Sequence, residues 1–368
     1  MTKAAELAKM GEVLSNSQIG RKNIIINGAM QISQRSTSET GKGDADGYFT
    51  LDRFRMGHGA TSAGRYTMSQ SSVTDLEGFS NALKIDCTTA DTSIAAGEVL
   101  LVNQRIEGFN LQQLKATSTT TRAMTLSFYA KSNASRAIAS EVLLTNGTNR
   151  QISKLHTIGT SWARYTMTVP AASSTQIDND NSNEMQINFW LHAGSTYTGG
   201  TPSTTLGPST NNQRGAGVGS IYASTDNTLE ITGVQLEVGE QATPFEHRSF
   251  GEELALCQRY YYKLINDSDA DSFATGSNNT TTTSEYSIIF AQTMRANPTA
   301  IETTGTAGDY KIASAGSTTT CSAVPTFVRA SFHTAYFRAT VSSGLTTGNA
   351  SLLRSVGSDV YLAWSAEL

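Results

Sequence analysis

Four stretches of this chain place an apolar residue at every second position, and this period constrains the fold more than any other feature. The runs are 124–131, 165–169, 185–192 and 231–238. A period of two is typical of a strand that buries one of its faces. Turn signals such as Asn146-Gly147 separate the runs. Regularly spaced strands of this kind predict a β-sandwich over residues 21–248, and an all-β chain.

The composition agrees with an all-β chain and argues against nucleic acid and anionic membranes as partners. Of 368 residues only 16% are charged, against about 25% in ordinary soluble domains. Ser, Thr, Asn and Gly supply the polarity instead, as many strands and turns require. The net charge is −4, and no basic patch stands out in the sequence. Nucleic acid and anionic membranes are therefore not expected partners.

The three cysteines, Cys87, Cys257 and Cys321, are far apart and odd in number. We expect buried thiols, as in a protein assembled in a bacterial cytoplasm. The N-terminus has no apolar signal core, and no apolar run is long enough for a membrane span. A protein released by lysis of its host cell would need neither a signal peptide nor a membrane span.

A domain boundary is predicted near residue 248. After the strand at 231–238, Gly239 permits a turn and Pro244 cannot continue a ladder. Ser249-Phe-Gly-Glu252 then has the pattern of a capping box that begins a short helix. Residues 249–368 form a second, small β domain, with strands expected at 284–293, 323–340 and 360–364.

Residues 1–20 predict a short helix followed by a hinge. Leu7, Met10 and Leu14 have heptad-like spacing. A helix this short must pack on something. Three interpretations stay open: a three-helix bundle on a symmetry axis, docking into a partner protein, and packing on its own domain.

Two further segments interrupt the strand pattern. Residues 104–114 are expected to include a short helical excursion. Residues 195–219 contain almost no apolar side chains, so they cannot fill a core. We interpret them as a disordered surface loop near the rim of the sandwich.

The run at 185–192 carries the main candidate binding residues. Its polar face would present Gln186, Asn188, Trp190 and His192, and a second strand presents Tyr129 and Lys131. An indole stacks on the apolar face of a pyranose, and amides bond its hydroxyls. These residues predict a carbohydrate site. The alternative, which we favour, is that Trp190 packs under a loop or in a subunit interface.

The sequence gives weaker indications of a metal site or a catalytic site than of a carbohydrate site. Asp44, Asp46 and Asp52 lie in a Gly-rich stretch, and oxygen ligands at such spacing can hold Ca²⁺. The stretch lacks an EF-hand's length and closing Glu, so ordinary Asx turns are the expected interpretation. The chain has no G-x-S-x-G, Walker or H-E-x-x-H motif, and its five histidines are isolated. We expect no enzyme activity and no cofactor other than structural calcium.

Several ordered blocks resemble bacteriophage tail-fibre and related virion structural proteins. They are KNIIINGAMQISQRS at 22–36, YFTLDRF at 48–54, QRIEG at 104–108, LSFYAKS at 126–132 and VQLEVG-x-x-ATPFE at 234–246, followed by EL-x-x-CQRYYYK. The resemblance covers roughly residues 21–265 and implies a carbohydrate-binding-module-like jelly roll before the ATPFE segment. Trp162 lies in a SWARY block of such jelly rolls, where core packing is expected. Asp52-Arg53 also recurs in these proteins and is expected to have a structural role.

The resemblance implies a virion fibre or tail appendage protein that recognises a host surface glycan during adsorption. We expect a homotrimer, bound to other virion proteins through its N-terminal segment. The alternative is a purely structural virion protein, such as a head-decorating fibre or an adaptor. A glycan-cleaving enzyme is the third class, but the long repetitive β-helix of phage depolymerases has no counterpart in this sequence.

Overall fold

The computed structural model describes Lys3 and residues 21–60, 62–173 and 175–368. Leu7, Met10 and Leu14, the candidate attachment or trimerisation residues, lie outside the described residues. The chain divides into two compact units, Met1–Glu253 with Leu368, and Leu254–Glu367. Sheets dominate both units, so the prediction of an all-β, jelly-roll-like fold is confirmed.

In its described residues the first unit contains fifteen strands, in two large sheets and one small sheet. The strands are β1 (Ser38–Lys42), β2 (Arg55–His58), β3 (Arg65–Ser72), β4 (Asn81–Thr89), β5 (Val99–Glu107), β6 (Lys115–Thr117), β7 (Thr120–Thr121), β8 (Met124–Ser132), β9 (Arg136–Leu144), β10 (Arg150–Ile158), β11 (Ala163–Val169), β12 (Ala172–Ser173), β13 (Asn183–Ala193), β14 (Gly207–Pro208) and β15 (Thr228–Val238). Sheet A has the order β1-β3-β4-β15-β8-β11, and sheet B has the order β14-β10-β9-β13-β5-β2. The small sheet is β12-β7-β6.

The main core takes the apolar positions of the alternating runs. Residues from β8 in sheet A and β13 in sheet B belong to one buried cluster. They are Met124, Leu126, Phe128 and Ala130 of β8, and Met185, Ile187, Phe189 and Leu191 of β13. Phe128 and Phe189 meet edge to face, with ring centroids 4.8 Å apart. The period of two therefore identified the inward face of both strands correctly.

Strand β15 is buried on both faces, whereas its sequence predicted one buried face. Val234 and Leu236 join the core, but Gln235 and Glu237 on the other face are buried as well. The segment after the strand folds back over them. Thr243 donates its backbone N–H to Glu237 (2.9 Å), and Glu246 donates its own to Gln235 (2.8 Å). The VQLEVG-x-x-ATPFE block, residues 234–246, thus folds back on the outer face of sheet A and is held there by hydrogen bonds. We call this block the clamp.

The sequence blocks at 22–36, 48–54 and 104–108 are also joined to one another, by hydrogen bonds between side chains and the backbone. Gln104 both donates to the carbonyl of Ile26 (2.8 Å) and accepts from its N–H (2.9 Å). Asp52 is fully buried and accepts the backbone N–H of Gln34 (2.9 Å). Arg53 donates to the carbonyl of Arg105. These contacts give Asp52 and Arg53 a structural role in joining distant segments.

Helices are short throughout the described residues. They are α1 (Ser195–Thr198), α2 (Asn211–Arg214) and α3 (Phe250–Gln258), with 3₁₀ turns at Gly108–Leu114, Ile221–Ala223 and Ala307–Asp309. The first 3₁₀ turn confirms the excursion expected within 104–114. Ser249 caps α3 by accepting the N–H of Glu252 (3.3 Å), in agreement with one half of the predicted capping box. Among the described residues, no helix has the length and apolar character needed to cross a membrane.

The second unit contains ten strands around a separate core. They are β16 (Tyr261–Asn266), β17 (Ser272–Asn278), β18 (Thr283–Ile289), β19 (Glu302–Thr303), β20 (Tyr310–Ser314), β21 (Ser317–Thr320), β22 (Ala323–Ala330), β23 (Thr334–Thr340), β24 (Ala350–Ser355) and β25 (Val360–Ser365). Sheet C is β16-β25-β19, and sheet D is β21-β20-β24-β17-β18-β23-β22. The run expected at 323–340 is a hairpin of two strands.

The division between the units falls between Glu253 and Leu254, inside α3, rather than at residue 248. Glu253 explains the difference. Its carboxylate accepts the backbone N–H of Asn27 (2.5 Å) and pairs with Arg248 (3.2 Å). These bonds tie the first turn of α3 to the first unit. All three cysteines are buried and none of them forms a disulfide. Burial raises the pKa of Cys321 to about 12.

Buried His156 of β10 should make stability depend on pH. Its ring lies 5.3 Å from Phe128, and Nε2 is 2.8 Å from the hydroxyl of Ser140. Burial lowers the pKa of His156 to about 4. The unfolded chain protonates this histidine more readily than the folded chain does. The contribution of neutral His156 to the free energy of unfolding is therefore complete above about pH 6.5 and falls as the pH approaches 4. The loss should reach about 3 kcal/mol.

The measurement is the free energy of unfolding from neutral pH to pH 4 for the wild type and for His156→Gln. The variant lacks the titrating group, so its stability should fall less steeply across this window. Identical pH slopes for the two proteins would contradict the assignment.

Candidate functional site

The candidate sugar residues of β13 lie on the outer face of sheet B, but three of the four are not accessible there. Asn188 and Trp190 are each 1% exposed and His192 is fully buried, whereas Gln186 is half-buried. The alternation correctly separated them from the main core. The hypothesis that Trp190 offers an open stacking surface is wrong, because a second layer of chain covers it.

This cover is the segment 195–218, part of the stretch 195–219 that the sequence predicted to be a disordered surface loop. It contains α1 and α2, and β14 within it pairs with β10 at the edge of sheet B. The Trp190 ring packs against Tyr197, with centroids 5.4 Å apart, and belongs to a separate small core with Leu101 and Ala139. Trp190 therefore packs under a loop, which was the favoured alternative.

A buried carboxylate fixes the cover to the sheet. Glu141 of β9 accepts hydrogen bonds from Asn188 (2.7 Å) and from the indole Nε1 of Trp190 (2.9 Å). Arg214 of α2 adds a two-pronged ion pair, with N–O distances of 2.7 and 3.1 Å. The Arg214 guanidinium also lies 5.0 Å from the Trp190 ring centroid. The Asn188 amide and the Trp190 indole, which were predicted to bind a sugar, thus bond to Glu141 within the fold.

His192 is likewise occupied by protein partners. Its Nε2 lies 3.0 Å from Glu98, and its Nδ1 lies 2.7 Å from the hydroxyl of Ser220. Burial lowers the pKa of His192, although the neighbouring Glu98 carboxylate acts in the opposite direction. The imidazole links the end of β13 to the loops beside it.

Tyr129 and Lys131 lie on β8 of sheet A, so the six predicted residues do not form one site. The outer faces of two different sheets carry them. Around Tyr129 and Lys131 the structure adds residues that the prediction did not include. This surface, called here the Trp162 surface, comprises Asp75, Phe79, Tyr129, Lys131, Trp162 and His247.

Trp162 gives the surface an indole that reaches solvent. All three tryptophans are among the described residues. Trp190 and Trp364 are at most 1% exposed, but Trp162 is half-buried, which corrects the expectation of core packing. It lies in the turn between β10 and β11. Its Nε1 donates to the Asp75 carboxylate (2.8 Å), and Lys131 Nζ lies 4.9 Å from a ring centroid of the indole.

Asp75 connects the charged groups of this surface. Lys131 forms a salt bridge with it at 3.1 Å. Hydrogen bonds from Trp162, and then from Lys131, lower the pKa of Asp75. Asp75 is highly exposed, so its carboxylate stays open to solvent while it orients the indole and the ammonium group. A half-buried aromatic ring that reaches solvent, with a carboxylate and an amine beside it, is suited to polyhydroxylated ligands.

The aromatic character continues along sheet A from Lys131 to Tyr129. Phe79 lies 5.3 Å from Tyr129 and 5.3 Å from His247, measured between ring centroids. Gly233 makes this stacking possible: a Cβ there would come within 2.8 Å of the Tyr129 ring, and its φ of +59° favours glycine. No sequence pattern indicated Asp75, Phe79 or His247, because they come from loops distant in the chain.

The aspartates at 44–52 do not converge on a metal position. Asp46 pairs with Arg55 and accepts the backbone N–H of His58 (2.6 Å). Asp52 is buried against Gln34, and Asp44 is exposed. Across the described part of the chain, no three His, Cys, Asp or Glu side chains are placed to hold a metal ion. His58, one of the isolated histidines, is the last residue of strand β2.

Among known proteins, this chain is similar only to solved structures, and only distantly. No protein-family model and no curated protein sequence matches the chain. One similar solved structure is the enzymatically active domain of bacteriophage CBA120 tailspike protein 4, at 14% identity and a TM-score of 0.30, covering 59% of this chain. The match spans only 21% of that tailspike domain.

Two carbohydrate-binding modules are similar at the same level. A CBM4 structure has 14% identity and a TM-score of 0.30, covering 58% of this chain and 98% of its own. The family 11 module from Clostridium thermocellum, in complex with a mixed-linked tetrasaccharide, has 10% identity and a TM-score of 0.28, covering 56% and 99%. Likeness at these scores carries no argument about function, which must come from the site.

Proposed function

We propose that this chain is a virion fibre or tail appendage protein that recognises a host surface glycan, and that the Trp162 surface is its recognition site. The observation that carries the proposal is the half-buried indole of Trp162, held between Asp75 and Lys131 on the outer face of sheet A. The sequence blocks that resemble phage tail-fibre proteins supply the virion context.

The chemistry of glycan recognition follows from the arrangement of these groups. The indole provides a flat apolar surface for the C–H face of a pyranose. Asp75 accepts hydrogen bonds from ring hydroxyls, and Lys131 donates to them. Both side chains are already held by contacts to each other and to Trp162. Less side-chain entropy is therefore lost when the ligand binds.

Trp162→Ala tests the site directly. Loss of the stacking surface should weaken binding to host cells or to an arrayed host glycan at least tenfold, or about 1.4 kcal/mol. The melting temperature should change little, because Trp162 lies outside the buried core clusters. Trp162→Phe keeps an aromatic face and should retain part of the affinity.

Phe109→Ala is the matched control, since Phe109 is an exposed aromatic residue elsewhere on the first unit, at 47% exposure. It should leave both binding and melting unchanged. Normal binding by Trp162→Ala would refute the assignment of the site and favour the alternative, a purely structural virion protein. Release of reducing ends from host polysaccharide would contradict the proposal that the chain binds without catalysis.

The assembly proposed for this function is a homotrimer, attached to other virion proteins through residues 1–20. Several copies convert weak single-site binding into firm attachment. Light scattering should give three times the chain mass of 39.2 kDa. Removal of residues 1–20 should convert the trimer to a smaller assembly or abolish its incorporation into particles. A monomer at micromolar concentration would contradict the trimer. An electron micrograph of particles carrying the labelled protein would test the virion location.

A further inference from the structure

Sheet D of the second unit has an outer face with an unusual charge distribution. Its seven strands contain four cationic residues and one anionic residue, and strand register places all five on the side away from the core. They are Lys311, Arg329, Arg338, Arg354 and Glu285. We call this side the cationic face.

The asymmetry does not follow from the composition of the unit. Leu254–Glu367 contains seven Lys and Arg residues and eight Asp and Glu residues. The cations are Arg259, Lys263, Arg295, Lys311, Arg329, Arg338 and Arg354; the anions are Asp267, Asp269, Asp271, Glu285, Glu302, Asp309, Asp359 and Glu367. Four of the seven cations thus share one sheet face with one carboxylate. Folding concentrates positive charge on one side of a nearly neutral unit.

Two of the four cations form salt bridges within the protein and two do not. Glu285 pairs with Arg338 and also accepts the phenol O–H of Tyr336. Lys311 pairs with Asp269 at 2.7 Å. Within the described residues, no carboxylate lies within salt-bridge distance of Arg329 or Arg354. These two guanidinium groups leave the face with uncompensated positive charge.

The cationic face also carries the groups that contact sugar rings. Arg329, Tyr336 and Ser287 are neighbours across β22, β23 and β18. The Arg329 guanidinium lies 4.9 Å from the Tyr336 ring centroid. Thr275 and Leu352 form a pair further along the same face. All five are exposed or half-buried, so hydroxyl, aromatic and aliphatic groups face solvent between the cations.

The separation of the two unpaired cations sets the size of the ligand. Arg329 is on β22 and Arg354 on β24, four strand positions apart in sheet D. At about 4.8 Å between strands this is about 19 Å. A single anionic sugar cannot reach both groups, whereas an extended chain with repeated negative charges can.

We propose that the cationic face of sheet D binds an anionic polysaccharide, through its carboxylate or phosphate groups, at a site separate from the Trp162 surface. Guanidinium groups match the geometry of both anions. This inference rests on the proposed function, host glycan recognition, and adds the charge class of the ligand and a second site.

The test measures binding of the full chain to polygalacturonate, a carboxylate polymer, and to poly(glycerol phosphate). The two polymers distinguish the carboxylate source from the phosphate source. Methyl-esterified polygalacturonate has the same backbone without the charge and should bind at least tenfold more weakly. Binding should also weaken severalfold as NaCl rises from about 0.05 M to about 0.5 M, because salt screens exposed charges.

Arg329→Gln and Arg354→Gln should each weaken binding about threefold, and together about tenfold, as expected for exposed ion pairs. Lys263→Gln is the matched control. It removes the same charge from sheet C of the same unit, where Lys263 lies 4.3 Å from the ring centroid of Tyr361. It should leave binding unchanged. Melting temperatures of all three variants should equal that of the wild type.

The inference would be overturned by equal loss of binding with Lys263→Gln, by equal binding of the esterified polymer, by tighter binding of double-stranded DNA than of either polymer, or by a changed oligomeric mass in the double variant. The last would make the face a contact between copies of this chain. Trp162→Ala should retain polyanion binding. Failure of the polymers to bind, with host-cell binding still dependent on Trp162, would reject this inference and leave the proposed function standing.

Discussion

Replacing Glu141 by Gln should destabilise the first unit by about 3–5 kcal/mol, the usual result of removing one partner of a buried ion pair. The Glu141 side chain is fully buried, and Arg214 is only 18% exposed. In the variant, Arg214 stays next to the sheet without a counter-charge. The amide also turns an N–H group toward the donors of Asn188 or Trp190. Calorimetric or denaturant unfolding measures the effect.

Two further variants identify the cause. Glu77→Gln makes the same chemical change at an exposed position and should alter stability by less than about 0.5 kcal/mol. Glu141→Gln combined with Arg214→Gln should be less destabilised than the sum of the single changes, because the unpaired charge is removed with its partner. A Glu141→Gln protein as stable as the wild type would show that the 195–218 cover is not held by this pair in solution.

Trp190→Ala should cost about 3–5 kcal/mol, as truncation of a large core side chain does. The indole is 1% exposed, packs against Leu101, Ala139 and Tyr197, and bonds to Glu141. Removing it leaves a cavity under the cover and takes one of three donors away from Glu141 Oε2, which keeps Asn188 and Arg214. Host-cell binding, measured per folded molecule at a temperature where the variant is native, should stay normal.

The comparison with Trp162→Ala makes this prediction specific. One tryptophan should affect melting without affecting binding, and the other should do the reverse. Trp190→Phe fills most of the space and should cost only about 1–2 kcal/mol, chiefly from the hydrogen bond to Glu141. A Trp190→Ala variant that melts normally but loses binding would restore the hypothesis that β13 carries the sugar site.

The strands of the first unit could be predicted because alternation is a local signal. The runs in β8 and β13 each specify an inward face, whatever the rest of the chain does. The cover could not be predicted in this way. Residues 195–218 are almost free of apolar side chains, and they pack through Arg214, Tyr197 and the pairing of β14 with β10. Each of these contacts depends on residues distant in sequence.

The candidate site shows the same limit. Tyr129 and Lys131 were identified because strand period placed them on an outer face. Asp75, Phe79 and His247 join them only through folding, and their own surroundings in sequence carry no motif. Trp162 was assigned to the core from the block in which it occurs, but its position in a turn brings it to the surface. The charges of sheet D, spread over residues 285–354, meet only through strand register.

The clamp after β15 also determines when the first unit can fold. Asn23 bonds to Val234 across 211 residues, and Asn27 bonds to Glu253 across 226 residues. Strand β15 also lies between β4 and β8 in sheet A. Closing such long loops costs chain entropy before the native contacts have formed and stabilise the unit. Folding should therefore be slow compared with that of helical domains. During synthesis the facing edges of β4 and β8 stay unpaired until β15, which ends at Val238, has left the ribosome. A chain that stops before β15 exposes those edges to aggregation.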